Sequence, residues 1–363
     1  MTSKNLFIAA SGQSDGKTTL SIILYNFFQT IKKKVGFIKP VGQKYVVVND
    51  EQIDKDSYLI EHIFQSHVDI KLTSPIAIPS GYTEEYILER ANRKDQLKNK
   101  LIYSFQELSY DREYMLVEGT GHAGVGSVLD LSNARVAKIL NSKVILIAPG
   151  GIGNTIDEIM LNKALFDKEG VEVLGVVINK IYPNKIEKVT KLLTQGLNNY
   201  GLKVLGFIPY YQSLSSPNMF LVKEALKADV LNEGDTLYEN IVNIVVGAMT
   251  PHYVLTHLAK GSLLITPGDR EDVLLAAISL CMLSTENRLA GILITGGILP
   301  KENVFNLIKK INIPVLSVGE DTYETAKKVS NLNVKVTIND KKKIELTKQL
   351  INQLDTKYIL ENL

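Results

Sequence analysis

Residues 10–20 read Ala10-Ser11-Gly12-Gln13-Ser14-Asp15-Gly16-Lys17-Thr18-Thr19-Leu20, and the chain is organised around them. Before them, Leu6-Phe7-Ile8-Ala9 is an apolar run of strand length. After them, residues 20–28 are apolar and long enough to continue as a helix. A strand, a glycine-bearing turn and a helix start form the setting in which Gly-Lys-Thr binds phosphate. The turn's N–H groups and the positive end of the helix dipole converge on an anion. Lys17 is then expected at the outer phosphates and the Thr18 hydroxyl on Mg²⁺. The usual spacing puts the first glycine at position 11; here Ser11 stands there and Gly12 follows, so the loop is a variant.

The remainder of the composition narrows the class. A length of 363 residues points to two domains. With 45 % hydrophobic and 22 % charged residues the chain can bury a sizeable core. A net charge of +2 argues against a dominant non-specific nucleic-acid role. The single cysteine, Cys281, lies in an apolar run and reads as a buried structural thiol with no internal disulfide. The first residues lack a signal-type core, and no apolar run reaches the length of a membrane span. The expectation is a cytoplasmic protein with no membrane and no nucleic-acid partner.

Strand-like and helix-like segments alternate along the first half. Apolar strands are expected at 35–38, 114–117, 144–148, 173–178 and 204–208, with helices at 53–64, 83–108, 134–140, 155–169 and 185–200. Residues 72–82, with Pro75, Pro79 and Gly81, read as a surface loop. Such alternation implies a parallel sheet covered on both faces, with ligands bound beyond the C-terminal strand ends. Gly12, Lys39, Glu118, Gly150 and Asn179 all fall at such ends. Residues 222–231 read as a helix, and Asn232–Asp235 as the domain boundary. The α/β pattern then restarts, with strands at 241–246, 263–265, 292–294 and 315–318 and a terminal helix at 343–354.

Several side chains carry candidate chemistry. Lys39 closes the second strand in Lys39-Pro40-Val41 and reads as a second cationic clamp, a holder of an acidic substrate, or an exposed lysine. Asp54 and Asp56 lie near a helix start, where either suits Mg²⁺ or simple capping. Glu118 follows an apolar strand and opens a loop with four glycines, Gly119, Gly121, Gly124 and Gly126. His122 in that loop reads as a general acid or base, or as a hydrogen-bonding loop residue. Five histidines without metal-ligand spacing speak against zinc, and no Gly-x-Ser-x-Gly elbow supports a serine hydrolase.

Residues 1–232 resemble the dethiobiotin synthetase-like group of P-loop proteins, which also holds cobyrinic acid a,c-diamide synthase relatives. The likeness rests on Gly16-Lys17-Thr18-Thr19, Lys39-Pro40-Val41, the helix-start aspartate, Val117-Glu118-Gly119, Asn179 and Ile208-Pro209. Residues 233–363 resemble the DRTGG domain that follows such a domain in some phosphate acetyltransferases, through Gly268-Asp269-Arg270 and Ile294-Thr295-Gly296-Gly297. Glu271-Asp272 stands where that name suggests Thr-Gly, and the acetyltransferase catalytic domain is expected to be absent.

The fold implied is α/β: a parallel-sheet P-loop NTPase domain plus a smaller α/β domain. By resemblance, Lys17 and the loop residues Gly12, Gln13, Ser14, Asp15, Gly16, Thr18 and Thr19 bind ATP phosphates. Thr18, Asp56 and Glu118 hold Mg²⁺, Asn179 reads the adenine, and Pro209 lies on the nucleotide side. Lys17 and Lys39 are the implied catalytic residues, and a homodimer is implied. The glycine loop Gly121-His122-Ala123-Gly124-Val125-Gly126 departs from the dethiobiotin synthetase pattern, so a different small-molecule substrate is expected. Two functions follow. One is an ATP-dependent ligase-type enzyme that activates a small carboxylate or carbamate as a mixed phosphate anhydride. The other is a nucleotide-sensing regulatory protein acting through the second domain.

Overall fold

The computed structural model describes residues 3–283 and 288–363. The chain forms two compact units, residues 1–210 with 336–363, and residues 211–335.

In the first unit, six strands make one sheet: β1 (Lys4–Ala10), β2 (Val35–Ile38), β3 (Tyr114–Glu118), β4 (Lys143–Pro149), β5 (Val173–Ile181) and β6 (Val204–Pro209). Their order is β6-β5-β4-β1-β3-β2, and every pair is parallel. Leu6 to Ala10 are wholly buried, as expected of a central strand with both faces covered. The chain runs to one side of β1 for β2 and β3, then to the other for β4 to β6. The reversal falls at β1, where open α/β sheets leave a crevice for ligands. The loop of residues 11–16 leaves β1 there.

Five helices position the site. They are α1 (Lys17–Thr30), α2 (Lys55–Phe64), α3 (Tyr82–Ser109), α4 (Asn133–Ile139) and α5 (Gly153–Glu169). Gly16 caps α1 with a φ of +113°, a backbone state that L side chains rarely adopt. A Cβ there would also meet the Asn179 Nδ2 at 2.2 Å, so this glycine is required by both backbone and space.

The second unit carries a five-stranded sheet of β7 (Asp229–Asn232), β8 (Asn243–Val246), β9 (Ser262–Pro267), β10 (Gly291–Thr295) and β11 (Val315–Ser317). Its order is β7-β11-β10-β9-β8, with β7 antiparallel and the rest parallel. Helices α6 (Met219–Leu226), α7 (Glu271–Leu283) and α8 (Thr322–Ser330) accompany it.

The chain then returns to the first unit. There α9 (Lys341–Gln349) packs on α1, and α10 (Thr356–Asn362) packs on β6. Gly206 forms an antiparallel bridge with Leu354, and a Cβ at Gly206 would meet the Gln353 carbonyl oxygen at 2.3 Å.

Five expectations are corrected. A division at 232/233 does not match these units: β7 pairs with β11 in the second sheet, and residues 336–363 belong to the first unit. Residues 222–231 are not one helix. Lys227 ends α6 in the left-handed region, and Asp229–Asn232 pairs as an edge strand. Residues 53–54 are not helical, because they close a hairpin in which Tyr45–Val48 pairs with Glu51–Asp54. The stretch 72–82 is no plain surface loop, since Ile76–Ala77 pairs with Val41–Gly42 and Ile76 is buried. The terminal helix is also split, by a tight turn at Leu350–Gln353.

Candidate functional site

All six strands of the first sheet point their C-terminal ends to one edge, which gathers residues far apart in sequence. Ile8 of β1 is level with Glu118 of β3, and Ile38 of β2 with Val117. The phosphate loop, Lys39 and Glu118 therefore meet.

The loop is braced from several sides. The Gly12 N–H donates to Asp15 Oδ2 at 2.5 Å, and the Ser11 hydroxyl lies 3.0 Å from the same oxygen and 3.1 Å from Glu158 Oε2. Burial pushes the Asp15 carboxyl above its ordinary range, against the pull of those hydrogen bonds and of Lys17 and Lys180. Asn179 Nδ2 donates to the Asp15 carbonyl at 2.7 Å, and Lys180 Nζ to the Ser14 carbonyl at 2.7 Å. Asn179 thus braces the loop. Pro209 ends β6 level with Ile181 of β5. Lys17 Nζ donates to the carbonyls of Gly12 at 3.2 Å and Gly121 at 3.1 Å.

The glycine loop is pinned through two asparagines. Asn133, on α4, donates to the carbonyls of Thr120 at 2.8 Å and His122 at 2.7 Å and accepts from the Thr120 N–H at 3.1 Å. Asn162, on α5, accepts from the Ala123 N–H at 2.7 Å and donates to the Ser11 carbonyl at 3.1 Å, tying the two loops together. His122 is exposed, and its Nδ1 accepts from the Gly124 N–H at 3.2 Å, which favours the loop-residue reading.

Beside Lys17 lies a buried charged cluster. Glu118 accepts from the Thr18 hydroxyl at 2.9 Å and from the Ser21 hydroxyl at 2.7 Å. Lys39 Nζ is 3.3 Å from Glu118 Oε1 and 3.4 Å from Asp54 Oδ1, and it bonds Asp56 Oδ2 directly. Asp54 also caps α2, accepting from the Asp56 N–H at 2.8 Å. Burial works against the Lys39 ammonium, but Glu118, Asp56 and Asp54 together hold it well above the usual lysine range. Burial leaves the Asp54 carboxyl raised, to about 6, although Lys39 pulls against that rise. The exposed-lysine reading of Lys39 is corrected, since only 5 % of it is exposed.

The donor set suits a hard divalent cation. Thr18, Asp54, Asp56 and Glu118 offer only oxygens, which Mg²⁺ prefers, and the Lys39 ammonium is a positive charge already seated among them. As the side chains stand, no group of three His, Cys, Asp or Glu is set to hold a metal among the described residues. The spacing is that of an ammonium.

Sequence reasoning missed Ser21, Asn133, Asn162 and Glu158. Ser21 lies four residues after Lys17, the spacing that returns a helical residue to the same face, and this signal was readable. Asn133 and Asn162 carry no motif, and only the fold reveals them.

A parallel α/β sheet with a phosphate loop at its switch point and this cluster beside it defines a P-loop nucleotide-binding fold. The chain belongs to the AAA domain family, matched over residues 4–218, and carries a DRTGG domain over residues 221–332. The first is of the dethiobiotin synthetase-like P-loop kind. Among curated proteins the chain is similar to the phosphate acetyltransferase of Pseudomonas putida, at 28 % identity over 98 % of this chain and 51 % of that protein. It is likewise similar to that of Nitrosomonas europaea, at 27 % over 93 % and 48 %. The chain thus spans about half the length of these relatives. Among solved structures, the MinC:MinD cell division protein complex of Aquifex aeolicus aligns with a TM-score of 0.35 and 14 % identity, over 58 % of this chain and 84 % of that one. Among the described residues, no helix is long and apolar enough to cross a membrane.

Proposed function

We propose that the first unit binds ATP with Mg²⁺ and that the chain is a nucleotide-dependent regulatory module. The carrying observation is the hydrogen-bonded continuity from the phosphate loop through Thr18 and Glu118 to Lys39. In this reading the loop amides of Gly12 to Gly16 and the Lys17 ammonium take the phosphates, while Thr18, Glu118 and Asp56 hold the metal. Bound Mg²⁺ supplies charge neutralisation on the phosphates. Asn179 and Pro209 stand on the nucleotide side, with Thr19 following in α1. The phosphate acetyltransferases that match across both domains support regulation of that kind of activity as the output.

A second reading, ATP-dependent activation of a small carboxylate or carbamate, is favoured by Lys39, a second buried ammonium beside the phosphate loop. The proposal includes a homodimer in the cytoplasm, supported by the resemblance of the first unit and checked by light scattering.

Isothermal calorimetry with Mg-ATP tests the core of the proposal. Wild-type chain should bind and Lys17→Ala should not, with its melting temperature within a few degrees of wild type. Equal affinity in the two proteins would overturn it. Turnover assays with a panel of small carboxylic acids and amines separate the readings: sustained ATP consumption selects the enzyme, and bound, unconsumed ATP selects the regulator.

A further inference from the structure

Glu118 Oε1 serves two partners at once. It accepts the Thr18 hydroxyl at 2.9 Å and faces the Lys39 ammonium at 3.3 Å. That ammonium also faces Asp54 Oδ1 at 3.4 Å and bonds Asp56. The four charged side chains are each no more than 6 % exposed. A divalent cation held by Thr18 and Glu118 needs the same carboxylate, at about 2.0–2.1 Å for Mg²⁺. Two cations on one buried carboxylate repel strongly, because little solvent lies between them to screen the charge. The backbone gives Lys39 no room to drift, since its N–H is tied to the Thr73 carbonyl at 2.8 Å. Only the flexible four-carbon stem is free to swing.

We propose that Lys39 is a tethered placeholder cation: it keeps the Asp54–Asp56–Glu118 cage closed in the nucleotide-free chain, and a divalent cation enters only as its ammonium leaves. This rests on the reading of Thr18 and Glu118 as metal ligands. The cage as spaced accepts an N···O separation above 3 Å at two of its three carboxylates, and it must contract around a metal. The nucleotide-free chain therefore holds divalent ions weakly. Metal entry hands a mobile positive charge to the phosphate side of the loop, so Lys39 acts as a positioning residue coupled to metal occupancy.

The test titrates nucleotide-free protein with Mn²⁺ alone and reads free ion by electron paramagnetic resonance. Lys39→Met should bind Mn²⁺ at least about tenfold more tightly than wild type, the size of a typical coupling between ligands at linked sites. Adding Glu118→Gln to that variant should remove the gain. A folded Lys39→Met, judged by circular dichroism, with wild-type Mn²⁺ affinity overturns the proposal. Where Lys39→Met fails to fold, the pair Asp54→Asn and Lys39→Met/Asp54→Asn gives the same comparison with one carboxylate fewer, and equal affinities in that pair overturn it equally. Failure of the nucleotide reading is seen separately, as absent ATP binding by calorimetry in wild type. The Mn²⁺ titration contains no nucleotide and stands apart from that result.

Discussion

The Thr18 hydroxyl donates to Glu118 Oε1 at 2.9 Å across a hundred residues of sequence. Parallel pairing of β1 and β3 causes this, because Ile8 and Glu118 share a register position at the edge where the loop leaves the sheet. Ser21 completes the grip on the other oxygen, at 2.7 Å. A buried carboxylate that loses one such donor loses a charge-assisted bond worth about 1.5–3 kcal/mol. Ser21→Ala should therefore lower stability in urea by about that amount. It should also alter the Mg²⁺ dependence of ATP binding, read by calorimetry at several metal concentrations. Unchanged stability would mean that Ser21 does not hold Glu118.

Gly16→Ala should be costly for two reasons that can be separated. The φ of +113° strains any L residue, and the new Cβ collides with Asn179. Asn179→Ala removes the collision and leaves the strain. The double variant should then be more stable than the sum of the two single losses, with a coupling of about 0.5–3 kcal/mol as found for residues in contact. Chemical denaturation of the four proteins measures it, and strict additivity would show that only the backbone matters.

Cys281 should be a slow thiol. Burial pushes it up to about 11, against a hydrogen bond from the Leu289 backbone that pulls it down. At pH 8 about 0.1 % is then thiolate, against about a quarter of a free thiol of pKa near 8.5. Its reaction with a chromogenic disulfide should stay slow through pH 9 and climb toward pH 11. A half-maximal rate near pH 8.5 would contradict this environment.

Much of the fold was legible because its signals are local. Each strand of the first sheet is a short apolar run, and residues 114–117 alone placed Glu118 at a strand end. The phosphate loop, Lys39 and Glu118 followed from topology. The seating of Lys39 among Asp54, Asp56 and Glu118 did not, because the hairpin that delivers Asp54 pairs Tyr45–Val48 with a polar Glu51–Asp54 and carries no strong alternation. Nor did the strand β7, which follows α6 within a few residues and is decided by its pairing with β11. The two pinning asparagines are tertiary choices with no local mark.

Shortening the chain after residue 335 should destabilise the first unit rather than leave it intact. Ile344, Leu350, Leu354 and Ile359 of the returning segment are each 8 % exposed or less. Each buries apolar area worth about 1.5–3 kcal/mol, so together they rival the ~5–15 kcal/mol that holds a domain folded. The shortened chain should lose more than about 10 °C in the melting of its first unit. A peptide of residues 336–363, added in trans, should restore part of the loss. An unchanged melt would show the segment to be dispensable.

That return gives the chain the topology of an insertion. The polypeptide passes from one body to the other near residue 210 and comes back near residue 336. One nick at either crossing leaves the pieces in company, joined covalently at the other crossing or through the docked C-terminal segment. Separation requires two cuts, or one cut together with undocking of that segment. A protease that clips once will thus produce a new band under denaturing electrophoresis while the eluted mass on a sizing column stays whole.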